Sequence, residues 1–345
     1  MASSTRVGVV LSNLGTPDGT DYRSMRRFLG EFLSDRRVID YHPILWQPLL
    51  QGIILSTRPR TSAALYRQVW DTQLDEGPLL TRTRRITDAI RHRLRETHGE
   101  NLVVDFAMRY SNPATGDVLT RMLGQGCQRI VYFPLYPQYS STTVATAQDE
   151  LFRVLSRVAH QPSVRTIGPY WEHPGYVAAL AASVREAYRS LNRRPERLIV
   201  SYHGLPERYT SKGDPYESQC RATSAALAQQ LGMESDELVT TFQSKFGPER
   251  WLGPATIDQA ARLARDGVRD VAVISPAFAA DCLETLQEIN LEIRRRFTDA
   301  GGQRFHYIEC LNDRADHINL LTELIEGSLG GWESRDQAVA VQSAM

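Results

Sequence analysis

Two regimes of apolar patterning alternate along this 345-residue chain. Short, nearly continuous apolar runs closed by glycine or proline read as buried strands, and longer stretches with apolar residues every three or four positions read as helices. Val7-Gly-Val-Val-Leu11 is the first strand, ending in Asn13-Leu14-Gly15-Thr16-Pro17. The next segment, 21–32, is helical with Phe28, Leu29 and Phe32 inward. Helices near 61–70 and 81–97, a strand over 102–107, a helix near 115–124 and a strand over 129–133 follow. The pattern then restarts. Leu198-Ile-Val200 leads to His203, 217–231 is helical, 239–242 is a strand, 257–265 a helix, and 271–274 a strand stopped by Pro276. Strands alternating with helices predict parallel sheets.

The two halves share one plan. Phe106-Ala-Met-Arg-Tyr-Ser-Asn-Pro113 is echoed by Phe242-Gln-Ser-Lys-Phe-Gly-Pro248, and Val131-Tyr-Phe-Pro134 by Val273-Ile-Ser-Pro276. First strands align at an offset of about 190 residues and later ones at about 135–142, so the first half carries roughly 50 extra residues, around 20–75. That insertion holds Pro43-Ile-Leu-Trp46-Gln-Pro-Leu-Leu-Gln-Gly-Ile-Ile-Leu55, which is too short and too interrupted to span a bilayer. Placed over a strand-end crevice, it suits a lip for an apolar ligand. The expected fold is α/β, two Rossmann-like, doubly wound domains related by an internal repeat. The first covers 1–170 and the second 171–311; a helix over 312–330 returns to the first, and a polar tail occupies 331–345.

Composition narrows the function. Hydrophobic residues make up 42% and charged residues 23%, enough to bury a large core. Lys+Arg and Asp+Glu both total 40, with no basic stripe among aromatics, which argues against nucleic acid as a partner. Cys127, Cys220, Cys282 and Cys310 are far apart and are expected as free thiols in a reducing compartment. The first strand follows Met1 almost at once, so a cytoplasmic location is expected. Neither a Gly-x-Ser-x-Gly elbow nor a three-glycine dinucleotide fingerprint is present.

The candidate chemistry sits at two strand ends. His203 stands where the apolar run Leu198-Ile-Val-Ser-Tyr turns at Gly204 and Pro206, the place where parallel sheets keep their crevices. Past Pro276, Glu284, Glu288 and Glu292 recur at i, i+4 and i+8 on one helix face, with Asp281 just upstream. The repeat sets Glu284 after a strand neighbouring that of His203. An imidazole and a carboxylate facing one cavity suit proton removal or a hard or borderline divalent metal, without the third ligand of a closed site. The mirrored stretch Tyr132-Phe-Pro-Leu-Tyr136-Pro-Gln-Tyr139-Ser-Ser-Thr-Thr143 offers hydroxyls and flat rings but no carboxylate before Asp149. That wall suits binding, and the other suits reaction.

These residues resemble the ferrochelatases over nearly the whole chain. The resemblance rests on Leu198-Ile-Val-Ser-Tyr-His203-Gly-Leu-Pro206 with Ser211-Lys-Gly-Asp-Pro-Tyr216, and on Gln243-Ser-Lys-Phe-Gly-Pro-Glu-Arg-Trp251-Leu-Gly-Pro254. Asn13-Leu-Gly-Thr-Pro17, Met108-Arg-Tyr110, Tyr136-Pro-Gln-Tyr139 and Asp281-Cys-Leu-Glu-Thr285 follow in family order. It implies a chelatase-like fold and a reaction that inserts ferrous iron into protoporphyrin IX, the last step of haem biosynthesis, with release of two protons. It further implies His203 and Glu284 as catalytic and metal-contacting residues, and Glu288, Glu292 and Asp281 as a path for metal or protons. Leu14, Arg109, Tyr110, Tyr136, Trp251 and Phe278 would bind the porphyrin, and the lip would be its entrance and a shallow contact with the inner membrane face. Coproporphyrin III chelation, cobalt chelation of a corrinoid precursor, and a haem or iron carrier are the alternatives.

The chain departs from some relatives. Several hold a two-iron two-sulfur cluster through clustered cysteines, whereas here Ser140-Ser141 occupies the mid-chain ligand region and no cysteine follows Cys310. No cluster and no tightly bound cofactor are expected, iron being the substrate. Cys282 stands where some members carry a histidine, either as a small buried filler or as a soft-metal or oxidation-sensitive site.

Overall fold

The computed structural model describes residues 6–332 apart from 235 and 246. The first half runs β1 (Arg6–Gly15), α1 (Tyr22–Ser34), α2 (Pro43–Leu49), α3 (Leu55–Arg67), α4 (Pro78–His98), β2 (Leu102–Tyr110), α5 (Thr115–Gly124), β3 (Cys127–Pro134), α6 (Thr146–Leu155) and β4 (Ser163–Thr166). After α7 (Pro174–Ser190) come β5 (Arg197–His203), α8 (Glu207–Ser211), α9 (Tyr216–Leu231), β6 (Leu238–Gln243), α10 (Thr256–Arg265), β7 (Asp270–Ile274), α11 (Arg294–Asp299), β8 (Arg304–Tyr307) and α12 (Ala315–Leu329). Three π-helical stretches interrupt this order, at Leu50–Ile54, Ser141–Ala145 and Glu284–Ile293.

Each half forms a four-stranded parallel sheet, and the two orders are the same, β2-β1-β3-β4 and β6-β5-β7-β8. Val9 lies opposite Val131 as Ile199 lies opposite Val273. The extra length of the first half is where the offsets put it. Sixty-two residues separate β1 from α4, whereas 12 separate β5 from α9, an excess of 50. The local echo needs correcting by register. Met108 N donates to Pro113 O (2.7 Å) as Phe242 N donates to Pro254 O (2.9 Å), so Met108, and not Phe106, is the counterpart of Phe242. The loop from β6 to α10 is therefore 12 residues long against four from β2 to α5, and its extra length carries Trp251.

The strands are near-continuous apolar runs because both faces of each sheet are covered. On one face of the first sheet, Val118, Leu119 and Met122 of α5 join Ala147, Leu151 and Leu155 of α6. On the matching face of the second, Ala260 and Leu263 of α10 meet Ile289, Ile293 and Phe297. The remaining two faces share one core. It gathers Ile86 and Ile90 of α4, Leu180 and Val184 of α7, Leu227 of α9 and Leu321 and Ile325 of α12 against strands of both sheets. The returning helix thus packs on α4, α7 and β3. The insertion forms its own smaller cluster around Met25, Phe28, Leu50, Leu55 and Tyr66. The predicted tail from 333 lies outside the described residues.

Candidate active site

In a sheet ordered β6-β5-β7-β8, connections from β5 and β7 leave to opposite sides, which opens a crevice beyond their carboxyl ends. His203 ends β5, and Glu284 follows β7. His203 lies beside Gln243 in the ladder, and its Nδ1 is 2.7 Å from Gly204 O. A carbonyl can only accept, so Nδ1 carries a proton and Nε2 is the nitrogen left to exchange one. The turn is tight. Gly204 N donates to Gln243 O (2.8 Å), and a Cβ on Gly204 would stand 2.6 Å from that same oxygen.

The glutamate row lies on a π-helix rather than the α-helix its spacing suggested; such i→i+5 stretches are uncommon and collect at functional sites. Residues four apart still share a face, and exposure falls along the row: Glu292 is exposed, while Glu288 and Glu284 are half-buried. Two residues that sequence reasoning left without a role position it. Ser244 N (2.7 Å) and Ser244 Oγ (2.5 Å) donate to Glu288, and Gln243 Nε2 bridges Glu288 Oε2 (3.2 Å) and Glu284 O (3.0 Å). Ser201 Oγ in turn donates to Gln243 Oε1 (2.9 Å). Burial raises the Glu288 carboxyl above its ordinary value against the bonds from Ser244; the charge of His203 pulls it down and that of Glu284 pushes it up. The three groups therefore share one electrostatic site.

Asp281 does not join this row. It is fully buried, and its carboxylate accepts from Thr285 Oγ1 (2.9 Å), Asn312 Nδ2 (2.6 Å) and the Tyr307 hydroxyl. Its own N–H donates to Asn312 Oδ1 (2.9 Å). With its oxygens occupied by the protein, it fastens the start of the glutamate helix to β8 and to the approach to α12. Cys282 is buried in the shared core, where burial, followed by the Glu284 charge, pushes its thiol well above the ordinary value. A thiol held protonated is a poor soft-metal ligand.

The first half supplies the facing wall. Leu14, at the carboxyl end of β1, packs on both the shared core and the lip cluster, and Leu283 from beside Glu284 packs into the lip cluster with it. Burial, followed by the Glu284 charge, pushes the phenol of Tyr66 on α3 well up, so the insertion reaches the reacting wall. The hydroxyl of Tyr136 is buried without a partner among the described residues. Arg109 and Tyr110, expected to bind the ligand, are engaged by the protein itself. Tyr110 is 1% exposed and donates to Asp35 Oδ2 (2.9 Å); Arg109 donates to Thr146 Oγ1 (2.7 Å) and pairs with Asp35. Burial pushes the Asp35 carboxyl up, but donors from Thr146 and Arg37 N, with the charge of Arg109, more than reverse this and hold it low. Both residues thus brace the lip's root instead of presenting free groups to a ligand.

Trp251 and Phe278 are half-buried. Trp251 pairs with Pro206 across the turn after His203, lies against Gly204, and leaves its indole N–H without a partner among the described residues. Phe278 packs on the shared core after β7. Unpartnered buried donors amid flat rings suit a large planar ligand with polar edges. Among the described residues no three His, Cys, Asp or Glu side chains form a metal-holding group. The arrangement can take protons at Nε2, hold one at Glu288 and pass it outward to Glu292.

The model of the ferrochelatase family matches residues 6–329. A ferrochelatase of Rhodobacter capsulatus is 55% identical over 328 residues, 95% of this chain and 93% of that protein. One from Chelativorans sp. (strain BNC1) is 50% identical over 327 residues, 95% and 92% of the two chains. Among solved structures, SirB from Bacillus subtilis with Fe3+ superposes with a TM-score of 0.51 at 10% identity, covering 95% of this chain and 98% of that one. The sirohydrochlorin chelatase SirB from Bacillus subtilis subspecies spizizenii in complex with cobalt gives 0.51 at 9% identity, covering 93% and 94%. At such identities these two structures bear on the fold.

Proposed function

Starting from a chain that belongs to the ferrochelatase family, and so from a metal chelatase acting on a porphyrin and a metal ion, we propose that it inserts Fe2+ into protoporphyrin IX. The observation that carries this reading is the placement of His203: an imidazole whose Nδ1 is taken up by Gly204 O, at a strand-end crevice, with a carboxyl row beside it and apolar or aromatic walls. Insertion exchanges two pyrrole protons for one divalent cation. Nε2 of His203 receives protons from the macrocycle, Glu284 meets the incoming metal, and Glu288, held by Ser244 and Gln243, passes charge outward to Glu292. Trp251, Phe278, Leu14 and Tyr136 line the porphyrin's place. With Asp281, Arg109 and Tyr110 occupied, their part is to hold the walls.

The lip is the porphyrin's entrance and a shallow membrane contact. Ile44 and Leu45 are both 76% exposed and Ile53 60%, an apolar patch with no buried residue on α2 to account for it. No helix among the described residues is long and apolar enough to cross a membrane. A cytoplasmic protein that touches the inner membrane face to collect an apolar macrocycle fits this surface. The reading includes no iron–sulfur cluster: Ser140 and Ser141 give their hydroxyls to Asp214 Oδ2 (3.1 and 2.8 Å), an ordinary structural use.

Anaerobic incubation with ferrous iron and either protoporphyrin IX or coproporphyrin III, followed by the absorption of the macrocycle, tests the proposal. Protoporphyrin metallation by the wild type is expected, and His203→Ala should bind porphyrin without metallating it. Retained turnover in that variant, or preference for coproporphyrin, would overturn the respective part.

A further inference from the structure

Three fully buried hydroxyls stand behind the site, on a face of the second sheet packed with apolar side chains. Side chains alternate along a strand, so Ile199, Ser201 and His203 of β5 share one face, as do Thr241 and Gln243 of β6. The ladder sets Ser201 beside Thr241 and His203 beside Gln243. Ile199 on this face packs under α10 and the glutamate helix. Ser201 and Thr241 are wholly buried there, and Thr256, the first residue of α10, joins them because Ala255 bridges to Phe242. Hydroxyls in such a place are unfavourable unless each is bonded, and each is. Thr241 Oγ1 lies 2.9 Å from Thr256 Oγ1, Thr256 Oγ1 2.8 Å from Ser201 Oγ, and Ser201 Oγ 2.9 Å from Gln243 Oε1. Gln243 Nε2 then carries the chain to Glu288.

The direction of the protons follows from one group that can only accept. Glu284 O is a backbone carbonyl 3.0 Å from the Gln243 amide, so the amide nitrogen faces it and Oε1 faces Ser201. Ser201 has a single proton and gives it to Oε1; the proton in its contact with Thr256 is therefore that of Thr256. From α10 inward each donor points toward Glu288, and donors in series polarise one another. With the chain broken, Gln243 Oε1 would be left unbonded on a residue 2% exposed. Turning the amide over is no remedy, since Oε1 would then face Glu284 O at 3.0 Å and the Glu288 carboxylate at 3.2 Å, oxygen against oxygen.

We propose that Ser201 and Thr256 are positioning residues for metal insertion: together they hold Gln243 in the single orientation that keeps the Glu288 carboxylate in place between Glu284 and Glu292. This rests on the reading of that carboxyl row as the path for metal or protons. Both residues act through Gln243. Ser244 bonds Glu288 independently of them, so loss of the relay should misplace the carboxylate without releasing it.

The test uses the full chain with Ser201→Ala, Thr256→Val, which keeps shape and removes the hydroxyl, Thr256→Ser, which restores it, and Gln243→Met, which keeps length and removes the amide. Anaerobic metallation should lose about ten- to thirtyfold in kcat in Ser201→Ala and about three- to tenfold in Thr256→Val, with KM for protoporphyrin within about twofold and most of the rate kept in Thr256→Ser. In the Gln243→Met background, adding either substitution should change kcat by less than about twofold, because the group they act through is gone. A merely structural role would act alike in both backgrounds. In ligand-free protein labelled with 15N at glutamine, the Gln243 side-chain amide, identified by its absence in Gln243→Met, should exchange with water about three- to tenfold faster in Thr256→Val. A kcat within about twofold of wild type in both Ser201→Ala and Thr256→Val, or effects that multiply with that of Gln243→Met, would overturn the relay. Thr256→Val changes almost no volume and decides the matter if Ser201→Ala folds poorly. Full metallation by Glu288→Ala would instead overturn the reading of the row, and unchanged amide exchange in Thr256→Val would still overturn the hold on Gln243.

Discussion

Gly204→Ala is the smallest change that should separate the site from its scaffold. The added Cβ would stand 2.6 Å from the backbone oxygen of Gln243 and 3.2 Å from Trp251 Cε3. A backbone oxygen cannot swing aside, so the turn must retreat by about 0.6 Å before the contact is tolerable. That retreat lengthens the Gly204 N to Gln243 O bond from 2.8 Å to beyond useful range, a loss of about 1 kcal/mol. Overpacking against Gln243 and Trp251 adds about 1–3 kcal/mol. Urea unfolding should therefore register a loss of about 2–4 kcal/mol. The chemistry should suffer separately, because Gly204 O anchors Nδ1 of His203 and moves with the turn. A displacement of this size at a reacting group costs about ten- to a hundredfold in rate, read as kcat for metal insertion with porphyrin saturating. Gly124→Ala is the control: it closes α5 with nothing within 4 Å of an added Cβ, and should be neutral or stabilise slightly. If Gly204→Ala matched this control in both stability and kcat, the close approach that sets the histidine would be refuted.

Two further outcomes concern the frame behind the glutamate helix. His317 on α12 is fully buried with Nδ1 donating to Asn312 O (2.7 Å), and burial pushes it down to about 4. Its folded value lies below its unfolded one, so the unfolded chain binds the extra proton. Stability should hold above about pH 6.5 and fall as pH drops toward 4, by about 2 kcal/mol near pH 5. Urea titrations at pH 7.5 and 5 check this, and His317→Gln should lose that part of the slope. Asp281→Asn would turn an amide donor toward Asn312, Thr285 or Tyr307 and should cost about 3 kcal/mol of stability. An unchanged unfolding midpoint with a raised KM for iron would return Asp281 to the metal path.

The sequence carried the architecture because periodicity and punctuation are local properties. Val7–Leu11 and Leu198–Val200 announce buried parallel strands, the offsets locate an insertion, and a histidine before Gly204 marks a strand-end crevice. What it concealed depends on partners distant in sequence. Asp281 looked like part of a carboxylate row because its neighbours in the chain are carboxylates, whereas Tyr307 and Asn312 arrive 26 and 31 residues later. Arg109 and Tyr110 read as ligand groups until Asp35, more than 70 residues upstream, occupied them. Gln243 and Ser244 stood in a quoted motif with no role, since only the fold lays them beneath Glu288. The π-helical turns carry no periodic signature that separates them from α-helix over so few residues.

The core shared between the two sheets has a mechanical consequence. Ridges from α4, α7, α9 and α12 interdigitate with strands of both repeats, so neither sheet can rotate against the other without opening densely packed interior. The frame is stiff. The lip stands outside that frame: its apolar contacts form a separate, smaller group, and α2 is held to it through Trp46, whose indole N–H donates to Leu33 O (2.7 Å), so the lip can yield without disturbing the packing between the sheets.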